Sequence, residues 1–197
     1  MSKQPLLGHL PRGLPFVISA PAGTGKTTLV RMLLQEFSCV KESVSFTTRA
    51  QRTGEIPGFD YHFITKPEFE SRIKDNEFLE YAQVFNNYYG TSRREVENVL
   101  ASGKHVVLVI DTQGAMQLMG ALEATFIFIS PPNLTELRNR LHSRKSETPE
   151  TIEHRLSWAE KEISLKSRYD YHIVNDDLAV AYTALKSILI AEEHKNR

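Results

Sequence analysis

Four runs of mainly apolar residues mark the most regular parts of the chain, at 16–19, 106–110, 125–129 and 172–174. Runs of this length, without regular polar alternation, are typical of strands that are buried on both faces of a parallel sheet. Each run ends at a turn rich in polar residues, glycine or proline. The pattern therefore predicts four strands at the centre of one sheet.

Segments with helical spacing lie between these strands. From 28 to 37, large apolar residues recur every four positions, as on one face of a helix. Asn133, Thr148 and Asp177 are side chains that can cap three further helices, the last of which runs to about Glu193. Strands that alternate with helices predict an α/β fold with a mainly parallel sheet flanked by helices.

The region 43–89 breaks this alternation. It contains short stretches rich in Ser, Thr, Phe and Tyr, a loop with Gly and Pro, and one short helical segment near 67–75. Such a composition makes a poor hydrophobic core, but hydroxyl groups, arginines and tyrosines suit a binding surface. We predict a small β-rich insert within an α/β domain.

Composition limits the class of protein. A length of 197 residues favours one compact domain. Lys plus Arg and Asp plus Glu each number 24, and this zero net charge argues against nucleic acid or a membrane surface as a partner. No apolar run approaches the roughly 20 residues of a membrane span. The single cysteine, Cys39, excludes an internal disulfide and fits a reducing cytoplasm. Residues 1–13, with two prolines and two glycines, are expected to form a flexible lead-in.

The strongest local signal is a glycine-rich loop between the first strand and the first helix, here called the phosphate loop (20–27). Its glycines allow backbone N–H groups to point at phosphate oxygens. Lys26 adds a positive charge, and Thr27 offers a hydroxyl to Mg²⁺. The positive end of the following helix favours the same anion. The expected ATP-binding residues are Ala20, Pro21, Ala22, Gly23, Thr24, Gly25, Lys26, Thr27 and Thr28.

The insert carries a second set of phosphate-binding groups. Arg49 and Arg52 lie three residues apart beside hydroxyl side chains, and the planar guanidinium suits a phosphate. Tyr61 and Tyr89 can each add a phenolic donor to the same anion. Taken singly, the two arginines could equally be solvated charges of a turn. Next to a phosphate loop, they favour the phosphate of an acceptor molecule.

A candidate for base recognition follows in the insert. Glu80 is an acid in an apolar neighbourhood, and a carboxylate can accept both N–H donors on the Watson–Crick edge of guanine. Ser45 or Thr91 can donate to guanine O6, whereas adenine presents the wrong pattern on that edge. We therefore expect a guanine nucleotide as the acceptor, unless Glu80 is an ordinary strand residue.

These motifs resemble those of the guanylate kinase family, and the resemblance extends from 14 to 193. Besides the phosphate loop, the matching stretches are Thr-Thr-Arg-x-x-Arg-x-Gly-Glu-x-x-Gly-x-Asp-Tyr-x-Phe at 47–63, Asn-Tyr-Tyr-Gly-Thr at 87–91, Ile-Asp-x-Gln-Gly at 110–114, Ser-Pro-Pro at 130–132 and Val-Asn-Asp-Asp at 174–177. The stretch at 47–63 is the most specific of these.

The resemblance implies a P-loop NTPase-type core at 14–44 and 96–193, a GMP-binding insert at 45–95 and a helical lid at about 138–155. It implies transfer of the γ-phosphoryl group of ATP to GMP, and by extension to dGMP, with Mg²⁺, in cytoplasmic purine metabolism. The implied partners are these small molecules alone, without nucleic acid or membrane. Oligomeric state stays open.

The resemblance also implies roles for particular residues. The lid arginines Arg140, Arg144 and Arg155 join Lys26 and Arg49 as catalytic residues, and Asn175 lies near the adenine of ATP. Thr27 is the expected Mg²⁺ ligand, with Asp111 acting through water. The expected GMP-binding residues are Ser45, Arg49, Arg52, Tyr61, Glu80, Tyr89, Thr91 and Asp111.

Two departures from the family pattern accompany these matches. Ala20 stands where the phosphate loop usually has glycine, and Val109 stands where relatives often carry the first acid of Asp-Ile-Asp. Two other functions stay open at this point. One is a guanylate-kinase-like interaction module without turnover, which usually lacks the lysine that Lys26 supplies here. The other is a P-loop kinase for another small acceptor, which Glu80 argues against.

Overall fold

A computed structural model of the chain describes residues 5–84, 86–143 and 149–196. Its strands and helices follow one another in this order: β1 (Pro15–Ser19), α1 (Lys26–Glu36), β2 (Val40–Glu42), β3 (Phe46–Thr47), β4 (His62–Phe63), α2 (Lys66–Lys74), β5 (Phe78–Val84), β6 (Asn87–Ser92), α3 (Arg93–Ala101), β7 (His105–Val109), α4 (Thr112–Leu118), β8 (Thr125–Ser130), α5 (Leu134–Ser143), α6 (Pro149–Ser164), β9 (Tyr171–Val174) and α7 (Leu178–Glu193). A 3₁₀ turn at Lys166–Arg168 precedes β9.

The central sheet has five strands in the order β2-β7-β1-β8-β9, and every pairing in it is parallel. The four apolar runs form β1, β7, β8 and β9, as predicted. The fifth strand, β2, is only three residues long and lies at the edge, so it has no comparable apolar run. Apolar clusters cover both faces of this sheet. The α/β fold with a parallel sheet flanked by helices is therefore confirmed.

Helix boundaries follow the capping residues. The Asp177 carboxylate accepts a hydrogen bond of 2.9 Å from the Val180 N–H at the start of α7. Asn133 Oδ1 accepts one of 2.8 Å from the Glu136 N–H at the start of α5. Thr148, the third predicted cap, lies outside the described residues, but α6 begins directly after it. These contacts satisfy N–H groups that the first helical turn leaves unpaired.

The β-rich insert forms a separate sheet of four strands in the order β4-β3-β6-β5. Its core is a small aromatic cluster of Phe46, Phe69 and Phe78. Phe69 lies on α2, where Thr65 and Glu68 form a reciprocal capping box. The insert therefore packs around its own rings, and its long strand β5 runs beside α4 of the central domain.

The N-terminal segment departs from expectation. Leu7 is only 2% exposed, and the N–H groups of Gly8 and His9 donate to the Glu193 carboxylate at the end of α7, at 2.8 and 2.9 Å. His105 also bonds this carboxylate through Nε2, while its Nδ1 accepts from the Leu14 N–H. The predicted flexible lead-in is therefore wrong for residues 7–9, because a buried acid distant in sequence fixes their backbone. Residues 1–4 lie outside the described part of the chain.

Candidate active site

The phosphate loop owes its shape to two glycines with left-handed backbone. Gly23 and Gly25 both have φ of 91°, a conformation that other residues rarely adopt. Space is also limited there, since a Cβ at Gly25 would lie 2.6 Å from Asn175 Nδ2, and one at Gly23 would lie 2.9 Å from Leu141. Helix α1 starts immediately after Gly25, so its free N–H groups face the mouth of the loop.

Two hydrogen bonds fix this loop from below. Thr24 Oγ1 donates to the Pro21 carbonyl at 2.8 Å, and Asn175 Nδ2 donates to the Thr24 carbonyl at 2.6 Å. Asn175 is 4% exposed, so its amide faces the loop rather than open space. Asn175 therefore supports the phosphate loop in this structure, and its expected place near the adenine of ATP stays a prediction.

A cavity of about 330 Å³ opens between the phosphate loop, the insert and α6. It brings together many predicted ATP- and GMP-binding residues that are far apart in the sequence. Those that line it are Ala20, Ala22, Lys26, Ser45, Arg52, Tyr61, Glu80, Tyr89, Asp111 and Arg155. Val109, the site of one departure from the family pattern, lines it as well.

Lys26 lies at the phosphate-loop side of the cavity. Its Nζ is 3.4 Å from the Ala20 carbonyl oxygen, a long contact that leaves donor capacity for an anion. Burial lowers the pKa of Lys26, while Glu162 and Asp111 oppose this shift through their negative charges. The ammonium group is thus partly desolvated, and its interaction with a phosphate oxygen is stronger there than in bulk water. The acids near it keep the group in its charged form.

Glu80 lies at the insert side of the cavity. It is 4% exposed, and its Oε1 accepts a hydrogen bond of 2.6 Å from Thr91 Oγ1. Its Oε2 lies against Gly114, where an added Cβ would approach within 2.3 Å. Burial raises the pKa of Glu80 to about 7, and the Thr91 hydrogen bond opposes the shift. The carboxyl group is therefore held in one place and is poorly solvated.

The two insert arginines differ in their surroundings. Arg52 lines the cavity, whereas both terminal nitrogens of Arg49 donate to Glu55, at 2.7 and 3.1 Å. The Arg49 guanidinium also lies 5.3 Å from the centre of the Tyr61 ring. Tyr61 packs edge-on against Tyr89, with 5.9 Å between ring centres. These four predicted phosphate-binding residues therefore form one group at the edge of the insert.

Asp111 lies between β7 and α4 and is the N-cap of α4. Its Oδ1 accepts a hydrogen bond of 2.8 Å from the Gly114 N–H, so it caps the helix. Its Oδ2 is buried and has no hydrogen-bond partner among the described residues. Burial raises the pKa of this carboxyl, and Lys26 opposes the shift. An unpartnered carboxylate oxygen in the cavity, together with the exposed Thr27 hydroxyl at the start of α1, suits a hydrated Mg²⁺ ion.

The two lid arginines that the structure describes, Arg140 and Arg155, occupy different places. Arg155 on α6 lines the cavity. Arg140 on α5 donates through Nε to Glu136 and through one terminal nitrogen to the Asn175 carbonyl, each at 2.9 Å. Arg144 lies outside the described residues. The structure therefore brings Arg155 to the cavity, and it holds Arg140 on the side of the phosphate loop where Asn175 lies.

Sequence reasoning missed Trp158 and Glu162 on α6, besides the apolar lining residues Ala82, Val84 and Ile110. Glu162 is 6% exposed, and burial raises its pKa to about 7. The available signal was helical spacing, because Arg155, Trp158 and Glu162 follow one another at intervals of three and four residues on one helix face.

A glycine-rich loop follows a central parallel strand and opens onto a cavity that is also lined by Arg52, two tyrosines and the buried Glu80. This combination of fold and site defines the class: a P-loop nucleotide kinase. Comparison with known proteins gives the family. Residues 12–192 match the family described as guanylate kinase.

Individual relatives agree with this match. The chain is 58% identical over 184 residues to a guanylate kinase of Protochlamydia amoebophila (strain UWE25), which covers 93% of each chain. It is 48% identical over 182 residues to one of Chlamydia felis (strain Fe/C-56), covering 92% of this chain and 89% of the relative. The crystal structure of guanylate kinase from Anaplasma phagocytophilum superposes with a TM-score of 0.78 at 37% identity, covering 94% of this chain and 88% of that one. The chain belongs to the guanylate kinase family.

In the described part of the chain, no helix is both long and apolar enough to cross a bilayer.

Proposed function

We infer that the chain transfers the γ-phosphoryl group of ATP to GMP and yields ADP and GDP. The observation that carries this inference is the position of Glu80, buried in the same cavity as Lys26. One end of the cavity suits the phosphates of a nucleoside triphosphate, and the other suits a guanine edge. We include dGMP as an acceptor, because none of the assigned residues depends on a 2′-hydroxyl group.

Recognition of the acceptor starts with the base. Each oxygen of the Glu80 carboxylate has two lone pairs, so Oε1 can keep its bond from Thr91 and still accept from guanine N1–H or the 2-amino group. Thr91 thus acts first as the residue that orients Glu80. Ser45, which lines the same cavity, is then the donor that suits guanine O6.

The acceptor phosphate lies with the cationic group of the insert. Arg52 faces the cavity and binds the GMP phosphate in this scheme, with the phenolic hydroxyls of Tyr61 and Tyr89 as further donors. Arg49 joins them when its guanidinium shares its bonds with Glu55, since five N–H donors allow both partners.

The donor phosphates lie along the phosphate loop, where backbone N–H groups, the start of α1 and the Lys26 ammonium face the same volume. Phosphoryl transfer depends mainly on positioning and charge stabilisation, and an arginine at the transferring group can contribute about 10³–10⁵ in rate. Arg155 already lines the cavity, while Arg140 and Arg144 approach on closure of the lid. Closure also excludes water, which limits ATP hydrolysis.

Mg²⁺ belongs to this proposal as the cofactor of ATP, and it supplies positive charge to the β- and γ-phosphate oxygens. Thr27 would hold the ion directly, and the free oxygen of Asp111 would hold it through water. We place the reaction in the cytoplasm, in line with a single cysteine. A binding module without turnover is disfavoured, because Lys26, Arg52 and Glu80 all line one cavity.

A coupled assay tests the proposal. ADP release from ATP and Mg²⁺ is linked to NADH loss, with GMP, AMP, CMP or UMP as the acceptor. We expect rapid turnover with GMP, and rates for the other three that are lower by at least about 10³-fold, because a buried polar site rejects a base that leaves it unpaired. ATP without an acceptor is the matched control. Equal rates with GMP and AMP would contradict the assignment of Glu80.

A further inference from the structure

The role of Glu162 is not accounted for by nucleotide contacts alone. It lies near the end of α6, is 6% exposed, and lines the cavity with Lys26 and Asp111. A carboxylate in such a place is costly unless a positive charge lies near it. Lys26 supplies that charge, since the interaction between the two opposes the effect of burial on each.

Lys26 in turn needs an anion. Within the described part of the chain, the hydrogen bond of its Nζ is the 3.4 Å contact to the Ala20 carbonyl, which is too long to fix a flexible side chain. Glu162 and Asp111 both line the cavity with Lys26, and the negative charge of each favours the ammonium form. One oxygen of Asp111 already accepts from the Gly114 N–H as the cap of α4. Glu162 is therefore the acid on a separate helix that can direct the ammonium group before a phosphate arrives.

The helix that carries Glu162 is fixed against the phosphate loop. Leu156 and Ala159 of α6 pack in one cluster with Leu137 and Leu141 of α5. Those two leucines also lie against Gly23, where an added Cβ would contact both. Glu162, one turn beyond Ala159, is thus held at a defined position relative to the loop and to Lys26.

We propose that Glu162 is a positioning residue that holds the Lys26 ammonium group at the phosphate end of the cavity. It acts through Lys26 and contacts neither base nor transferred group. The proposal depends on the proposed role of Lys26 in binding the donor phosphates. Two effects of Glu162 on ATP binding have opposite signs. Its negative charge alone would repel the phosphates and weaken binding. By directing the Lys26 ammonium group toward the phosphates, Glu162 strengthens binding.

Isothermal titration calorimetry with a non-hydrolysable ATP analogue, Mg²⁺ and the full chain shows whether Glu162 strengthens or weakens ATP binding. We expect Glu162→Gln to weaken binding by about fivefold, a coupling in the usual range for two sites that act on each other without direct contact. In a Lys26→Met background, the same substitution should leave the affinity unchanged or raise it, since no ammonium remains to be directed. Glu160→Gln, an exposed acid on the same helix, is the matched control and should bind as wild type.

Tighter binding by Glu162→Gln in both backgrounds would overturn the proposal, and so would equal weakening in both. Glu162→Asp keeps the charge but withdraws it by one methylene, so we expect a smaller loss; it also serves if the glutamine variant fails to fold. If Glu162→Asp and Glu162→Gln each bound the analogue as tightly as wild type, Glu162 would not position Lys26.

Turnover gives an independent readout. We expect Glu162→Gln to lower kcat by about tenfold while the KM for GMP stays within about twofold, because the acceptor site is separate from Lys26. A purely structural residue would instead lower the melting temperature and change both constants. If wild type binds the analogue but does not phosphorylate GMP, the proposed function fails, while the coupling between Glu162 and Lys26 is still decided by the binding data.

Discussion

The central sheet and the insert sheet form opposite walls of one cavity, but they are built differently. In the central sheet, β1 is buried along its whole length and apolar clusters cover both faces. In the insert, buried and exposed residues alternate along the first five residues of β5, and three phenylalanines make up the buried cluster. The phosphate end of the cavity is thus attached to a large core, and the base end to a small one.

The two sheets differ in how easily they can move when a nucleotide binds. Segments with few buried apolar contacts open locally at lower free energy than the central core. The phosphate loop, fixed by Asn175 and two glycines, therefore keeps its shape, while the insert can change its distance from the loop when GMP binds. Glu80 sits on the smaller scaffold, so its position responds to the packing of the insert.

The largest expected effect comes from breaking each core in turn. Phe128 and Phe69 are both fully buried, one in β8 and the other in α2. Phe128→Ala should lower the global free energy of unfolding by about 3–5 kcal/mol. Phe69→Ala should speed amide hydrogen exchange mainly in β3, β5 and β6, with β1 and β7 protected as in wild type. Equal acceleration in both sheets would show that they unfold as one unit.

Removal of the loop lysine tests the phosphate end. Lys26→Ala should lower kcat by about 10²–10³-fold, as expected when a preorganised charge at a developing anion is lost. Its melting temperature should fall only modestly, because the ammonium group lies outside the hydrophobic clusters and the main cost is the loss of a positive charge near the buried Glu162. Gln35→Ala, an exposed residue near the far end of the same helix, is the control. Near-normal turnover in Lys26→Ala would remove this residue from the mechanism.

The base end is tested with a pair of acceptors. IMP lacks the 2-amino group of GMP, so it should be the poorer substrate. Glu80→Gln should cut kcat/KM for GMP by about 10²-fold, because the amide cannot accept two N–H bonds on one edge. It should also reduce the ratio of GMP to IMP use. An equal loss for both acceptors would mean that Glu80 is structural.

The pH dependence of GMP use gives a smaller effect. Burial raises the pKa of Glu80 to about 7, and guanine needs the ionised form. The KM for GMP should therefore rise by about tenfold from pH 8 to pH 6. Glu80→Gln supplies the control, since any remaining change comes from the GMP phosphate, which titrates near 6. A profile in wild type that matches that of the variant would contradict the assignment.

The free energy of unfolding should fall as the pH rises, whereas GMP binding should improve. The folded chain keeps the Glu80 proton between about 4.5 and 7, where the unfolded chain releases it. The contribution of Glu80 to stability is thus present at low pH and is lost as the pH rises through 7. Urea unfolding of wild type and Glu80→Gln at pH 5 and pH 8 measures this difference.

The smallest effect is expected at Val109, which lines the cavity where relatives often have an acid. Val109→Asp should leave kcat within about threefold, because Asp111 and Glu162 already place carboxylates there. It should lower stability slightly, since Val109 also packs against the apolar cluster. Val109→Asn, which adds the polar group without charge, is the matched control. A large gain in activity would show that the natural chain is a weakened enzyme.

Much of this molecule could be predicted from local patterns. Apolar runs determine β1, β7, β8 and β9, since a strand buried on both faces needs apolar side chains at successive positions. The tight turn of the phosphate loop was predictable, because glycine adopts the left-handed backbone of Gly23 and Gly25 far more readily than other residues. The insert and Glu80 were recognisable from a change of composition and from an acid within an apolar stretch.

The positions of residues that depend on contacts between distant segments could not be predicted from local patterns. The place of Glu162 follows from the packing of α6 on α5, and that of Asn175 from its bond to Thr24, which is 151 residues away. Leu7 is buried because Glu193 binds the backbone beside it. Periodicity and motif spacing describe neighbours along the chain. They give the identity of a charged side chain but not the partner that determines its role, because that partner is brought near only when the helices pack.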